Sequence, residues 1–262
     1  MSTVRVDGRE VAYDLVGSGP TVVLCHSLGG ERGLWGAQLE ALANERRVLA
    51  YDMRGHGGSG LGSAAPSLGV LAADLVALLG ALAIDRAHVV GQSIGAMTAL
   101  RAAIDAPARL ASCVALDCIV HADPAWDARY EERAALVERE GVAPLAAELA
   151  VRSLGASSRE RDPGLAARYA ALLAAAPRTG YAWACRAMIG LDLRAGLPGI
   201  ERPVLVAAGD EDELTTPAEA AAIAAAIPGA ELASIAGSGH VPCLERPEDV
   251  TELIRRRTAE AT

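Results

Sequence analysis

Apolar positions along this chain fall into two kinds of run, and the way they alternate is the first structural signal. Thr21-Cys25, Val48-Tyr51, Ala87-Val90, Ser112-Leu116, Val204-Ala207 and Glu231-Ile235 are short apolar stretches of strand length, the pattern of parallel strands packed between layers. Between them, Leu68-Leu82, Ala96-Ala106, Pro217-Ala226 and Pro247-Arg257 have helical composition. The helix at Pro217 opens with Thr216 as a cap and proline in its first turn. Near the start, Val4-Val6 and Val11-Val16 predict an antiparallel pair. The alternation predicts an α/β fold, a mostly parallel eight-stranded sheet flanked by helices.

One segment departs from this alternation. From about Ile119 to Gly199 there are only helical pieces, Ala125-Glu140, Val142-Ser153, Gly164-Ala175 and Thr179-Ile189, separated by prolines and glycines. The expected organisation is a core of residues 1–118 and 200–262, with residues 119–199 inserted after the sixth strand as a helical lid over the site.

Candidate chemistry sits at the strand ends. Gly91-Gln92-Ser93-Ile94-Gly95 places a serine between two glycines where a strand turns sharply into a helix. Side chains at the two flanking positions would clash there, so glycine is required and Ser93 is left at the apex. A serine hydroxyl needs a base, and the base needs an orienting carboxylate. His240 follows the last strand, and Asp212 lies in Gly209-Asp210-Glu211-Asp212-Glu213 directly after Val204-Ala208. The order Ser93, Asp212, His240 is that of a hydrolase built on this kind of sheet. Asp117, ending the preceding strand, is the rival acid. The oxyanion holes of such sites use two backbone N–H groups, expected here from Ile94 and from Leu28 in His26-Ser27-Leu28-Gly29-Gly30. His26 is read as structuring that loop.

Composition narrows the choice. All 24 basic residues are arginine, which excludes Schiff-base, Ser-Lys and Walker-type lysine chemistry. A formal net charge of -9 with no long basic run argues against nucleic acid or anionic membrane as partner and for a small molecule. The 5 cysteines are scattered without Cys-x-x-Cys spacing, which predicts reduced thiols and no metal site. The charged N-terminal residues and the lack of a long uncharged apolar stretch make a cytoplasmic location the expectation. Gly55-His56-Gly57-Gly58-Ser59-Gly60 formally matches a dinucleotide fingerprint, yet no helix opens at Gly60 and Asp74 falls inside a helical run. It is read as a tight structural turn, and no cofactor is expected.

His26-Ser27-Leu28-Gly29, Asp52-Met53-Arg54-Gly55-His56-Gly57-Gly58-Ser59, the Ser93 pentapeptide, and Gly239-His240 followed by Leu244-Glu245-Arg246-Pro247-Glu248 together resemble the α/β-hydrolase superfamily. Within it the chain is most similar to the 3-oxoadipate enol-lactonases, through Trp126-Asp127-Ala128-Arg129, the Gly141-Val142 break, and Gly180-Tyr181 leading through Cys185 to Asp192-Leu193-Arg194. Ile94-Gly95 stands where that group usually has Met-Gly. The resemblance implies a cofactor-independent serine hydrolase acting on a small ester or lactone, specifically an enol-lactone bearing a carboxylate, in aromatic-compound catabolism. Arg129 and Arg133 are then candidates to bind the carboxylate, and Trp126, Tyr181 and Trp183 to line an apolar pocket. An esterase, thioesterase or perhydrolase of the same fold is the alternative, and a non-catalytic small-ligand receptor is the reading from another class.

Overall fold

β1 (Ser2–Val6) and β2 (Arg9–Val16) form an antiparallel pair in which Val4 lies opposite Val11. The turn between them puts Asp7 and Gly8 at φ 47° and 80°, the left-handed pair that a tight hairpin needs. In this computed structural model, which describes residues 1–259, six further strands complete one sheet. They are β3 (Thr21–Cys25), β4 (Arg47–Tyr51), β5 (Ala87–Gln92), β6 (Leu110–Leu116), β7 (Val204–Gly209) and β8 (Glu231–Ile235). The order is β1-β2-β4-β3-β5-β6-β7-β8, with β1, β2 and β4 paired antiparallel and the remainder parallel.

The helices that precede β6 are α1 (Gly36–Leu42), α2 (Leu68–Ala81) and α3 (Ile94–Asp105). The stretch between β6 and β7 holds α4 (Pro124–Glu140), α5 (Ala143–Ser153), α6 (Ala156–Arg161), α7 (Leu165–Ala174) and α8 (Arg178–Ala187). The chain continues with α9 (Pro217–Ala226), α10 (Pro242–Glu245) and α11 (Pro247–Ala259). Because successive strand residues point to opposite faces, the sheet sorts its side chains into two layers. Val23, Leu49, Val89 and Val206 pack with Leu75 of α2, Met97 of α3 and Ile223 of α9. Val22, Val48, Val90 and Leu205 pack with Leu42 of α1 and Ile254 of α11. The second layer also takes in Ala134, Val137, Ala150 and Tyr181 from the inserted helices.

The strands and principal helices match the sequence pattern, and Thr216 caps α9 in a reciprocal box with Glu219. The differences have physical reasons. β5 runs two residues past Val90, because Gly91 and Gln92 stay paired with Ala115 and Leu116 of β6. α3 therefore starts at Ile94 rather than Ala96, immediately after the serine. α1, α6 and α10 span 7, 6 and 4 residues, too short for a hydrophobic period to register. Among the described residues no helix is long and apolar enough to cross a membrane.

Candidate active site

Ser93 sits between β5 and α3 with φ 56° and ψ −121°, a strained backbone that a strand-to-helix elbow imposes. Its N–H is held by the Leu116 carbonyl at 2.9 Å. The flanking glycines are obligatory. A Cβ on Gly91 would lie 2.1 Å from the Gly95 carbonyl oxygen, and one on Gly95 would lie 2.2 Å from that of Cys25.

Two other strand ends deliver the remaining groups. Asp212 follows β7 and His240 follows β8. His240 Nε2 is 3.0 Å from Ser93 Oγ, and His240 Nδ1 is 2.8 Å from Asp212 Oδ2. Asp212 Oδ1 accepts from the backbone N–H groups of Leu214 and Thr215 at 2.8 and 3.2 Å, while Thr215 Oγ1 donates to Oδ2 at 2.7 Å. Burial pushes the Asp212 carboxyl upward, but the His240 charge and these hydrogen bonds outweigh it, so the group stays ionised below its ordinary value. Asp117 makes no hydrogen bond to the His240 ring among the described residues. Its Oδ1 accepts the Gly209 N–H at 2.8 Å, and burial together with the Asp212 charge pushes its carboxyl well above the ordinary range.

The loop after β3 is clamped from the strand beside it. His26 Nε2 accepts from the Met53 N–H at 2.9 Å, so Nδ1 carries the proton and donates to the Ser27 carbonyl at 2.8 Å. Burial, reinforced by the neighbouring His56, holds this imidazole down at about 3. His56 Nε2 accepts from the Gly29 N–H at 3.2 Å, and Asp52 Oδ1 from the Arg32 N–H at 2.7 Å. The glycine-rich turn is structural: Asp52 also accepts from the Gly58 N–H at 2.7 Å, and Ser59 Oγ donates to the Asp52 carbonyl at 2.7 Å. Asp74 lies inside α2, paired with Arg54 and Arg9.

A cavity of about 400 Å³ opens over Ser93 and His240. Leu28, Trp126, Arg129, Arg133 and Tyr181 all line it, and Ile94 is buried as the first residue of α3. Trp126, Tyr130 and Arg133 follow one another along the inner face of α4. The two rings stack at 3.8 Å, and the Arg133 guanidinium lies 4.8 Å from the centre of the Tyr130 ring. Neither Arg129 nor Arg133 enters an ion pair among the described residues, whose acidic contribution to the cavity wall is Glu213. Trp183 is a correction to the sequence reading, because it does not line the cavity. Its indole N–H donates to the Ala64 carbonyl at 2.9 Å and its ring lies beneath Arg54, so it fastens α8 to the loop after β4.

Comparison with known proteins agrees with this fold. Residues 20–247 match the family described as alpha/beta hydrolase fold. The chain belongs to the α/β-hydrolase family. It is 35% identical to 3-oxoadipate enol-lactonase 1 of Acinetobacter baylyi over 216 residues, 82% of this chain and 77% of that one. Among solved structures it is similar to the enol-lactonase of Burkholderia xenovorans LB400, with TM-score 0.92 and 30% identity over 98% of this chain and 100% of the other. It is also similar to a thermophilic esterase of Thermogutta terrifontis, with TM-score 0.94 and 29% identity over 99% and 98%.

The site also holds residues to which the sequence pattern assigned no role. Glu245, buried at the end of α10, accepts from the N–H groups of Gly239 and Val241 on either side of His240, at 3.0 Å each, and from Gly155 at 2.8 Å. The His240 N–H donates to the Ser153 carbonyl at 2.7 Å, and the Gln92 amide to the His240 carbonyl at 2.5 Å. The histidine loop is thus tied to the inserted helices on one side and to the elbow on the other. No local spacing announces Glu245, because its partners come from distant stretches. Tyr130 had a signal in retrospect: it lies four residues after Trp126 and three before Arg133, on one helical face.

Proposed function

We propose that this enzyme is a cofactor-independent serine hydrolase that cleaves a small ester or lactone, preferentially an enol-lactone bearing a carboxylate such as 3-oxoadipate enol-lactone. The observation that carries the proposal is the continuous hydrogen-bonded path Ser93 Oγ, His240 Nε2, His240 Nδ1, Asp212 Oδ2, opening on a cavity. In this reading His240 takes the Ser93 proton as Oγ bonds to the substrate carbonyl carbon. The Leu28 and Ile94 N–H groups receive the charge that develops on the carbonyl oxygen. Collapse breaks the ring C–O bond and leaves an acyl-Ser93 ester, while the released enolate takes the proton held by His240 and becomes a ketone, returning the imidazole to its neutral form. Water, deprotonated by His240, then attacks the acyl carbon; the acyl C–O bond to Ser93 breaks as His240 returns that proton to Oγ, and the acyl group leaves as a new carboxylate.

The substrate carboxylate is assigned to the guanidinium groups of Arg129 and Arg133, with Trp126, Tyr130 and Tyr181 as the walls around it. Arg133 is the better placed of the two, since it is partly buried against the Tyr130 ring while Arg129 is exposed. Residues 119–199 act as the lid that supplies these walls. Purified enzyme assayed side by side against carboxylated enol-lactones, neutral aryl esters and thioesters tests the assignment. Higher kcat/KM for the carboxylated lactone supports it, whereas preference for neutral esters returns the protein to the esterase class.

A further inference from the structure

Thr215 has no assigned role in the relay, yet its hydroxyl lies inside it. Oγ1 is 2.7 Å from Asp212 Oδ2 and 3.2 Å from His240 Nδ1, while those two atoms are 2.8 Å apart. Three polar atoms from three residues therefore close a triangle, with Thr215 7% and Asp212 3% exposed.

Proton counting fixes the direction of each bond. An ionised carboxylate only accepts, so the Thr215 hydroxyl proton points at Oδ2. His240 Nε2 must accept from Ser93 for the hydroxyl to be activated, so Nδ1 carries the ring proton and directs it at the same Oδ2. Oγ1 then presents a lone pair to the flank of the Nδ1–H. With the Leu214 and Thr215 N–H groups on Oδ1, both carboxylate oxygens are filled and the plane of the group is fixed. Thr215 supplies two of those four donors, one from its backbone and one from its side chain.

We propose that Thr215 is a positioning residue: its hydroxyl pins Asp212 Oδ2 against His240 Nδ1 and moderates the basicity of the pair. The proposal rests on the reading of Ser93, His240 and Asp212 as the reacting set. Two effects oppose each other when the hydroxyl is removed. Oδ2 loses a donor at 2.7 Å and becomes a stronger partner for the imidazolium, whereas the imidazolium loses an acceptor at 3.2 Å. The shorter, charge-directed bond weighs more, so protonated His240 is favoured and the acid limb of the kcat/KM profile moves to higher pH. The other titratable and charged groups around the pair are Asp117 just after β6, Glu245 from α10, Glu213 from the same loop, and Arg129, Arg133 and Arg152 on the cavity wall. None of them is substituted in a Thr215 variant.

The experiment compares wild type, Thr215→Val, Thr215→Ala, Thr215→Ser and Ser93→Ala on one soluble aryl ester across the acid range. Thr215→Val is expected to lower kcat on the order of 10-fold with KM unchanged. Its acid limb is expected to move to higher pH. Thr215→Ser restores both. Thr215→Ala, which avoids a methyl against the carboxylate, shows the same limb displacement and covers the case in which the valine variant does not fold. If Ser93→Ala is inactive while Thr215→Val and Thr215→Ala keep the wild-type kcat and profile, the Thr215 proposal is overturned and the relay stands. A kcat loss without limb displacement, or one that serine does not restore, also overturns it by reducing Thr215 to packing. Full turnover in Ser93→Ala overturns the relay reading itself.

Discussion

Replacing Glu245 with glutamine tests how the histidine loop is held. The carboxylate gathers three buried N–H groups, with Gly155 and Gly239 on Oε2 and Val241 on Oε1. Glutamine offers one carbonyl oxygen. In its better orientation that oxygen keeps Gly155 and Gly239, and the amide nitrogen then confronts the Val241 N–H donor to donor. One charge-assisted bond is lost, one buried donor is left unpaired, and the two survivors become neutral, which together cost about 2–4 kcal/mol. For a chain of this size that lowers the melting midpoint by on the order of 10 °C. Val241 adjoins His240, so the relay shifts with it, and a displacement approaching 1 Å reduces kcat by about 10- to 100-fold. Circular-dichroism melting and ester turnover on the same preparation measure both. A Glu245→Gln protein that melts within about 2 °C of wild type with unchanged kcat would refute the reasoning.

Other substitutions separate the assignments. Asp212→Asn is expected to lower kcat by about 10⁴-fold, because the amide cannot hold the ring proton on Nδ1. Asp117→Asn is expected to stay within about 10-fold of wild type, since Asp117 does not bond the His240 ring and asparagine keeps the acceptor for Gly209; steady-state kinetics that reverse the ranking would move the acid to the end of β6. Arg133→Met is expected to raise KM for a carboxylated lactone by about 10-fold and leave a neutral ester unaffected, and equal losses on both substrates would remove Arg133 from recognition. His26 is held at about 3 in the fold against about 6.5 in an unfolded chain. The unfolded state therefore binds the proton first as pH falls through 6.5, and this group alone removes about 2 kcal/mol of stability by pH 5. Urea unfolding at the two pH values measures the loss, which His26→Asn should reduce.

The central strands were readable because parallel strands buried on both faces leave continuous apolar runs, as in Thr21–Cys25, while β1, β2 and β8 were readable from their short apolar runs toward the edges of the sheet. The convergence of Ser93, Asp212 and His240 on one edge of the sheet was readable because glycine requirements, strand ends and chain order are local or ordinal properties. What escaped depends on distance. Trp183 has the composition of a pocket residue, but whether its ring meets the cavity or Arg54 is decided by the path of residues 54–64, which its own neighbours in sequence do not encode. Glu245 looks like a surface charge before Pro247 until the 90 residues separating it from Gly155 are folded away. The choice between Asp117 and Asp212 likewise needed the ring of His240, since both acids lie at strand ends on the same edge of the sheet.

An acyl group on Ser93 is the most direct thing to measure. Wild type and Ser93→Ala, incubated with a fluorophosphonate and separately quenched in acid during turnover of a slow aryl ester, would be digested and read by mass spectrometry. The expected result is a single adduct, phosphonyl or acyl, on the peptide carrying Gly91-Gln92-Ser93-Ile94-Gly95, absent from Ser93→Ala, whose kcat falls by on the order of 10⁴ to 10⁶. An adduct on another residue, or purified Ser93→Ala protein that still turns over substrate near the wild-type rate, would contradict nucleophilic catalysis at this elbow.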